Sequence, residues 1–172
     1  MGDEGGEHHH PLSRRQVLLT ACLAWYEERP EAARDAQRVL KREGKQLSLR
    51  VVEYFLNTRL RVQNHKLYWA YQRHLRIFGK AHFDVFCREP KKTFKLGGGV
   101  EVESTPAQLE FLRWFIESGG MSLLLKDLDA VLLAKQLHQG ATKKRKHQQH
   151  QQKKKQKQQR GAAAGICCEK EP

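Results

Sequence analysis

Residues 104–120 read STPAQLEFLRWFIESGG, and this stretch carries the signals for both ends of a helix and for a buried side. Thr105 can accept a hydrogen bond as the N-cap, and Gln108 stands where a capping box has its reciprocal residue. Apolar residues then recur at helical spacing, at Leu109, Leu112, Phe115 and Ile116. Gly119 and Gly120 supply a left-handed exit. The stretch therefore predicts a buried amphipathic helix.

A β-hairpin is predicted immediately upstream, because helical spacing gives way to alternation. KTFKL at 92–96 and VEVES at 100–104 alternate apolar with polar residues around three glycines, which is the pattern of two strands joined by a tight turn. We place the hairpin at 93–103, with Lys95 opposite Glu101 or Glu103. It leads directly into the capped helix.

The rest of the folded part is predicted to be helical. Ser13 can cap a first helix, which ends at Pro30. Pro30 can also begin a second helix, which ends at Gly44. The narrow apolar stripe of this second helix indicates a surface position. A third helix begins after Ser48. A fourth covers 66–78, and a last one, capped by Ser122, carries leucines on nearly every side. We therefore expect a mainly α fold, a single helical domain of five or six helices with one β-hairpin at 13–140.

Positive charge is concentrated near the end of the sequence. Lys and Arg exceed Asp and Glu by 13, yet residues 1–140 hold 22 basic and 17 acidic residues, whereas 141–160 hold nine basic and no acidic ones. Lys, Gln and His dominate that segment and offer no apolar anchor, so we predict a disordered tail at 141–172, matched by a flexible leader at 1–12. A cationic tail implies a polyanionic partner: nucleic acid, an acidic membrane surface or an acidic protein.

The tail is the strongest candidate for contact with phosphates. Each cation that neutralises a phosphate releases a counterion, so binding would be salt-sensitive and independent of base sequence. The candidate residues are Lys143, Lys144, Arg145, Lys146, Lys153, Lys154, Lys155, Lys157 and Arg160. The alternatives are a tail that only maintains solubility and, at 143–146, a nuclear-import patch.

A second candidate surface lies on the predicted helix at 66–78. On a helical wheel its larger apolar residues share one side, while Trp69, Arg73 and Arg76 lie together on the other. Cations beside an aromatic ring that can stack on a base are typical of nucleic-acid surfaces. The alternative is a solvated helix face with one partly buried tryptophan. Arg113 and Trp114 pose the same choice, with Trp114 expected at the edge of the core.

The sequence shows no pattern of an enzyme. It has no phosphate-binding loop, no nucleophile elbow and no His-Glu metal helix. His82 and Cys87, with His65 or His74, lack the paired spacing of zinc ligands. We therefore expect no catalytic residues, no cofactor and no metal site, although a cleft that gathered His82, Asp84 and Cys87 would favour an enzyme.

The cysteines and the absence of long apolar runs indicate a reducing, intracellular setting. Four cysteines lack the density of a secreted disulfide framework, and no apolar run is long enough for a signal peptide or a membrane span. Cys167 and Cys168 follow a basic run, which would also suit a lipid anchor.

Two blocks within the segment from Leu47 to Leu124 form a specific pattern. The first, F-D-x-F-C-R, is matched by Phe83, Asp84, Phe86, Cys87 and Arg88. The second, T-x-x-Q-L-x-F-x-R-W, is matched by Thr105, Gln108, Leu109, Phe111, Arg113 and Trp114. With these blocks the segment resembles a family of uncharacterised proteins of nucleocytoplasmic large DNA viruses. Val85 and Pro106 depart from the residues usual in these blocks. The resemblance implies a viral context, a strand pair between the blocks and a basic tail, and it implies no active site.

Together these patterns predict a non-enzymatic, nucleic-acid-binding viral protein, with DNA as the expected polymer. It would act inside the host cell, in the nucleus or a cytoplasmic virus factory, or be packaged in the virion. The alternative is a virion or replication-factory interaction module whose tail binds an acidic protein, another viral protein or a membrane. A continuous basic patch on the helical domain would favour nucleic acid, whereas an exposed apolar patch on the last helix would favour the module.

Overall fold

The structure, a computed structural model, describes residues 13–140 and Gln152. The predicted leader, and the tail apart from Gln152, lie outside the described residues. The chain divides after Val131 into two units, and the helices and the hairpin given next belong to the first. They are α1 (Arg14–Glu27), α2 (Pro30–Lys41), α3 (Leu49–Tyr54), α4 (Arg61–Gln63), α5 (His65–Phe78), β1 (Lys92–Leu96), β2 (Val100–Ser104), α6 (Pro106–Glu117) and α7 (Gly120–Lys126).

This architecture confirms the predicted fold class, a mainly α fold with one antiparallel hairpin. The helix predicted after Ser48 is present but not uniform, because a π-helical segment, Phe55–Leu60, joins α3 to α4. Residues 128–131 are helical at the end of the first unit. In the second unit, residues 132–140 are also helical. The predicted domain boundary at 140 stays a prediction.

Helix α6 is the core element. Eight of its twelve residues are buried, and the Thr105 side chain accepts a hydrogen bond from the Gln108 backbone N–H at 3.3 Å, as predicted. The predicted reciprocal half of the capping box is wrong. The Gln108 carboxamide instead donates to the Val85 carbonyl and accepts from the Ser104 hydroxyl, both at 3.1 Å, so it ties the 79–91 connection to the start of α6.

Helix α1 begins as predicted and is fixed to α6 by a tyrosine. Ser13 and Gln16 form a full capping box. Cys22 and Tyr26 are the buried residues of α1, and the Tyr26 hydroxyl donates to the Leu109 carbonyl at 3.2 Å. This bond satisfies a polar group that would otherwise be costly to bury.

Helix α2 lies on the surface, as predicted, with one side buried and the other exposed. Its narrow stripe consists mainly of small side chains, which let the helix approach α6 and β2 closely. The buried residues are Ala32, Ala33, Ala36 and Val39. The helix ends at Lys41, before the predicted stop at Gly44, because Arg42 already takes the left-handed conformation with φ of 56°.

The hairpin has the predicted register. Lys95 stands opposite Glu101, and the Lys95 ammonium lies 4.0 Å from the Glu101 carboxylate on the exposed side. Between the strands, Gly97 packs against the end of α1 so closely that a Cβ atom there would lie 2.2 Å from the Tyr26 carbonyl oxygen. Glycine at the turn is therefore required for packing as well as for the turn.

Helix α7 begins earlier than predicted. Gly119 supplies the left-handed exit from α6, with φ of 77°, but the chain turns helical again at Gly120, two residues before the predicted Ser122 cap. A Cβ atom at Gly120 would lie 2.4 Å from the Phe115 ring, so this glycine lets α7 start directly against α6. Across the described part of the chain, no helix combines the length and apolar character needed to cross a bilayer.

Candidate nucleic-acid interface

Helix α5 is held by a cluster of aromatic rings on its inner side. Neighbouring rings in the cluster have centroids 5.4 to 6.4 Å apart, within the range in which aromatic pairs attract one another. Its members are Tyr71, His74 and Phe78 of α5, Phe83 of the following turn, and Phe111 and Trp114 of α6. Trp114, expected at the edge of the core, is buried within this cluster.

Both ends of α5 are defined by side-chain and backbone signals. The Asn64 carboxamide accepts a hydrogen bond from the Leu67 backbone N–H at 3.1 Å. At the other end Gly79, with φ of 67°, donates its N–H to the Leu75 carbonyl at 3.0 Å. With the inner side packed and both ends capped, the rotation of α5 about its axis is fixed, and so is the side that it presents outward.

The outward side of α5 is a stripe of cations around a tryptophan, which we call the α5 stripe. It consists of Lys66, Trp69, Arg73 and Arg76, all exposed, with Trp69 at 60%. Since a helix rises 1.5 Å per residue, the stripe is about 15 Å long. The prediction that Trp69, Arg73 and Arg76 share one side of the helix is confirmed.

Among the described residues, no carboxylate forms an ion pair with the α5 stripe. Helix α5 contains neither Asp nor Glu, and in the part of the chain that the structure describes no ion pair involves Lys66, Arg73 or Arg76. Unpaired, solvated cations can exchange water and counterions for phosphate oxygens without first breaking an internal bond. The stripe is therefore chemically ready to bind a polyanion.

Lys66 is the member of the stripe that the sequence reasoning missed. It lies three residues before Trp69 and so falls on the same side of the helix. Among the other basic residues of the helical domain, Arg59 is half-buried, and its guanidinium donates to the Ala130 carbonyl at 3.4 Å.

The buried thiol and phenols of the core show no sign of activation. Burial is the main cause that raises the pKa of the Cys22 thiol, aided by the nearby Glu110 carboxylate, so the reactive thiolate is suppressed. Burial also raises the pKa of Tyr71 to about 12, with the charges of Glu53 and Asp84 contributing in the same direction. These shifts belong to neutral side chains in a packed core.

The residues considered for catalysis have separate structural roles. His82 faces a cavity of about 10 Å³, room for no more than about one water molecule. The Asp84 carboxylate accepts a hydrogen bond from the Phe86 backbone N–H at 3.0 Å, which closes a turn. Within residues 13–140, no group of three or more His, Cys, Asp or Glu side chains is placed to hold a metal ion.

Comparison with known proteins gives a family and no activity. The profile of a family described as "Family of unknown function (DUF7197)" matches residues 37–168, which is more than half of the chain. The chain belongs to that family. No curated protein and no solved structure matches the chain. The matched range contains α5, the hairpin and α6, and it extends over the basic segment, whose candidate residues, from Lys143 to Arg160, lie outside the described residues.

Proposed function

We propose that this protein is a non-enzymatic nucleic-acid-binding protein that contacts phosphates without regard to base sequence, through the α5 stripe and the basic tail. The observation that carries the proposal is the stripe itself: three exposed cations and a 60% exposed tryptophan on a helix without carboxylates. Following the resemblance to proteins of large DNA viruses, we further propose that the polymer is DNA and that binding occurs inside an infected cell.

The exposed tryptophan is the part of the stripe that is hardest to explain without a ligand. Tryptophan is on average highly buried in folded proteins, and Trp69 could have taken part in the aromatic cluster had it faced inward. A base stacked on an aromatic ring gains about 1–3 kcal/mol, whichever base it is. An exposed ring between cations therefore suits single-stranded nucleic acid, whose bases are free to stack.

We propose different roles for the α5 stripe and for the basic tail. The nine cations at 141–160 supply counterion release, with a salt dependence of about 0.9 per phosphate contact on duplex DNA. The α5 stripe adds fewer charges but a stacking platform in a fixed orientation. We therefore expect the tail to dominate overall affinity and the stripe to set the preference for single strands.

The test is binding of labelled duplex and single-stranded DNA across a salt series. Three proteins are compared with the full chain: a truncation ending at Gly140, the double variant Arg73→Gln/Arg76→Gln, and the control Arg34→Gln/Lys41→Gln. The control removes two exposed cations from α2 that form no ion pair among the described residues. Both double variants remove two positive charges, so any difference in DNA binding between them is due to where on the protein the charges were removed.

We expect the truncation to lose most affinity for both DNAs and to flatten the salt dependence. The α5 variant should lower the slope for single strands by about 1–2, one unit per lost phosphate contact, and the α2 control should change it less. If the full chain binds neither DNA at about 50 mM salt, where phosphate contacts are strong, the proposal is wrong. If the two double variants weaken binding equally, α5 takes no specific part in binding and the tail remains as the proposed binding segment.

A second function is favoured by a separate observation in the second unit. Leu133 and Leu137 are 60% and 67% exposed and lie four residues apart, so they share one side of a helix. Apolar residues exposed together suit a protein partner, and beside a cationic tail they suit an acidic one. Stronger binding to poly-glutamate or to phosphatidylserine vesicles than to DNA at the same salt, lost in Leu133→Gln/Leu137→Gln, would favour an interaction module over a nucleic-acid-binding protein.

A further inference from the structure

A cationic pocket lies where the end of α2 meets the start of α3 and the turn before β1. Its volume is about 310 Å³, at the lower end of the range of about 300–1,000 Å³ found for small-molecule sites. Arg42, Arg50 and Lys91 line it, and no Asp or Glu does. We call it the Arg42 pocket.

The three cations line the pocket, and all three are exposed. In the described residues no ion pair or side-chain hydrogen bond involves Arg42, Arg50 or Lys91. Arg42 and Arg50 are close in the sequence, but Lys91 comes from the segment before β1, so only the fold brings it to them. Like charges that meet without a carboxylate between them repel one another, and an anion removes that repulsion.

Arg42 also has an unusual backbone for an arginine. Among the described residues it is the one non-glycine residue with positive φ, at φ 56° and ψ 47°. Helices commonly end with a left-handed residue, but glycine is the usual choice because it has no Cβ atom to clash. The chain thus has an arginine at a position where glycine would give a lower backbone strain energy. Strain of this kind is often retained at functional sites.

The remaining walls of the pocket combine an aromatic ring and apolar side chains with the polar Ser48 and Gln108. Phe86, 40% exposed, stands at its edge, with Leu40 and Leu49 as neighbours in the lining. The turn that carries Phe86 is fixed from two sides: the Asp84 carboxylate accepts its backbone N–H at 3.0 Å, and the Gln108 carboxamide holds the preceding carbonyl, of Val85, at 3.1 Å. The backbone that carries the ring is therefore held in place before any ligand arrives.

We propose that the Arg42 pocket binds one nucleotide unit, with the phosphate among Arg42, Arg50 and Lys91 and the base against the Phe86 ring. A phosphate requires converging cations, a base requires an aromatic or apolar wall, and this pocket offers both in the volume of one unit. The inference rests on the proposed function and adds to it a site whose affinity depends on the presence of a base. The unit is either a free mononucleotide or a nucleotide within a strand.

The experiment uses the full chain and measures fluorescence anisotropy of two labelled probes, a short oligo(dT) and the abasic strand of equal length. The variants are Phe86→Ala and Arg42→Gly, with Arg34→Gln as the control for loss of one exposed cation from the same region. Arg42→Gly is chosen because glycine suits the left-handed backbone at that position, so the variant should fold. Thermal melting of each variant verifies this.

Phe86→Ala should weaken binding of oligo(dT) about tenfold, the loss of one stacked base, and should change binding of the abasic strand less than about twofold. Arg42→Gly should weaken both probes by more than Arg34→Gln does, because it removes a phosphate contact. Unlabelled dTMP that displaces oligo(dT) from the full chain identifies a free nucleotide as a ligand. Failure to displace it, with the loss in Phe86→Ala still present, identifies a nucleotide within a strand.

Two other outcomes overturn the inference, and they are distinguishable from failure of the proposed function. If the full chain binds both probes and Phe86→Ala weakens them equally or not at all, the Arg42 pocket takes no base, while nucleic-acid binding stands. If Arg42→Gly matches Arg34→Gln, the pocket takes no phosphate. If the full chain binds neither probe and no dTMP, the proposed function and this inference fail together.

Discussion

Helices α5 and α6 use the same kinds of residue in opposite ways. Each combines arginine and tryptophan with a buried aromatic side, and they meet in one aromatic cluster. In α6 the tryptophan, Trp114, is 6% exposed, and Arg113 forms a two-pronged ion pair with the buried Glu110. In α5 the tryptophan, Trp69, is 60% exposed, and Arg73 has no carboxylate on its own helix.

The difference shows that the neighbours of an arginine or a tryptophan, rather than the residue type, decide whether its side chain is held in the core or left exposed. Glu110 and Glu117 on α6 hold Arg113 in place, and the hydrogen bond to Glu110 is the main cause that raises the pKa of Arg113. Helix α5 lacks such acids, so its arginines remain available to an external anion. We expect substitutions in α6 to lower stability and substitutions in the α5 stripe to lower binding.

The largest effect is expected for Trp114→Ala. The side chain lies in the aromatic cluster against Tyr71, Phe83 and Phe111, and removing a buried aromatic side chain of this size costs about 3–5 kcal/mol. Urea or thermal unfolding of the variant should show a loss of that order. A loss below about 1 kcal/mol would mean that the cluster is loosely packed and that α6 is not the core element.

A smaller loss is expected for Arg113→Ala. It leaves the Glu110 carboxylate, which is only 4% exposed, without its cation. Breaking a buried pair from one side costs about 3–5 kcal/mol, and the partial exposure of Arg113 places this pair at the lower end, about 3 kcal/mol.

Arg73→Ala on α5 is the matched control, with an expected change within about 0.5 kcal/mol, as for other exposed positions. Equilibrium unfolding of the two variants gives the comparison. The contrast between the helices is lost if the two substitutions cost the same.

The fold was predictable where signals are local. The cap and the exit of α6 lie within a few residues of the helix that they bound, and the hairpin register follows from alternation around the glycines. The hydrogen bond from the Gln108 carboxamide to the Val85 carbonyl was not predictable, because Val85 is 23 residues away in the sequence. The close packing of α2 was not predictable for a related reason: its alanines give a weak periodic signal, yet they pack closely once α6 and β2 are in place.

The candidate binding residues show the same difference between local and long-range signals. Trp69, Arg73 and Arg76 were found from helical spacing alone, and the same spacing would have found Lys66. The Arg42 pocket could not be found from spacing, because it joins Arg42 and Arg50 to Phe86 and Lys91 across more than thirty residues of sequence. Surfaces on one helix are therefore predictable from sequence, whereas pockets between elements need the fold.

The pH dependence of the unfolding free energy at alkaline pH tests whether Tyr71 of α5 is buried in the core. The pKa of Tyr71 is raised to about 12 in the folded protein, above the ordinary value of about 10. The unfolded chain therefore loses the phenol proton first, and stability that is fully present below about pH 10 falls as the pH rises towards 12.

Tyr26, whose pKa burial also raises, contributes in the same direction, so the test compares Tyr71→Phe with the unchanged protein. The slope of unfolding free energy between pH 10 and 11 should be shallower in Tyr71→Phe, by at most about 1.4 kcal/mol per pH unit. An identical slope would show that the Tyr71 hydroxyl is as solvated in the fold as in the unfolded chain.

The smallest effect on stability, and the sharpest test of the contrast, is expected for Trp69→Ala. At 60% exposure the ring contributes little burial, so the unfolding free energy should change by less than about 0.5 kcal/mol, against the loss of about 3–5 kcal/mol for Trp114→Ala. Binding of single-stranded DNA should weaken by about 1–3 kcal/mol, one stacked base, and binding of duplex DNA should barely change.

Ile77→Ala is the control for Trp69→Ala, because Ile77 is 54% exposed on the same helix and cannot stack. If both variants bind single strands as the unchanged protein does, the exposed tryptophan has no role in binding. If Trp69→Ala instead lowers stability as much as Trp114→Ala, then Trp69 supports the fold. The absence of carboxylates on α5 would then reflect a solvated surface, and phosphate binding would rest on the basic tail alone.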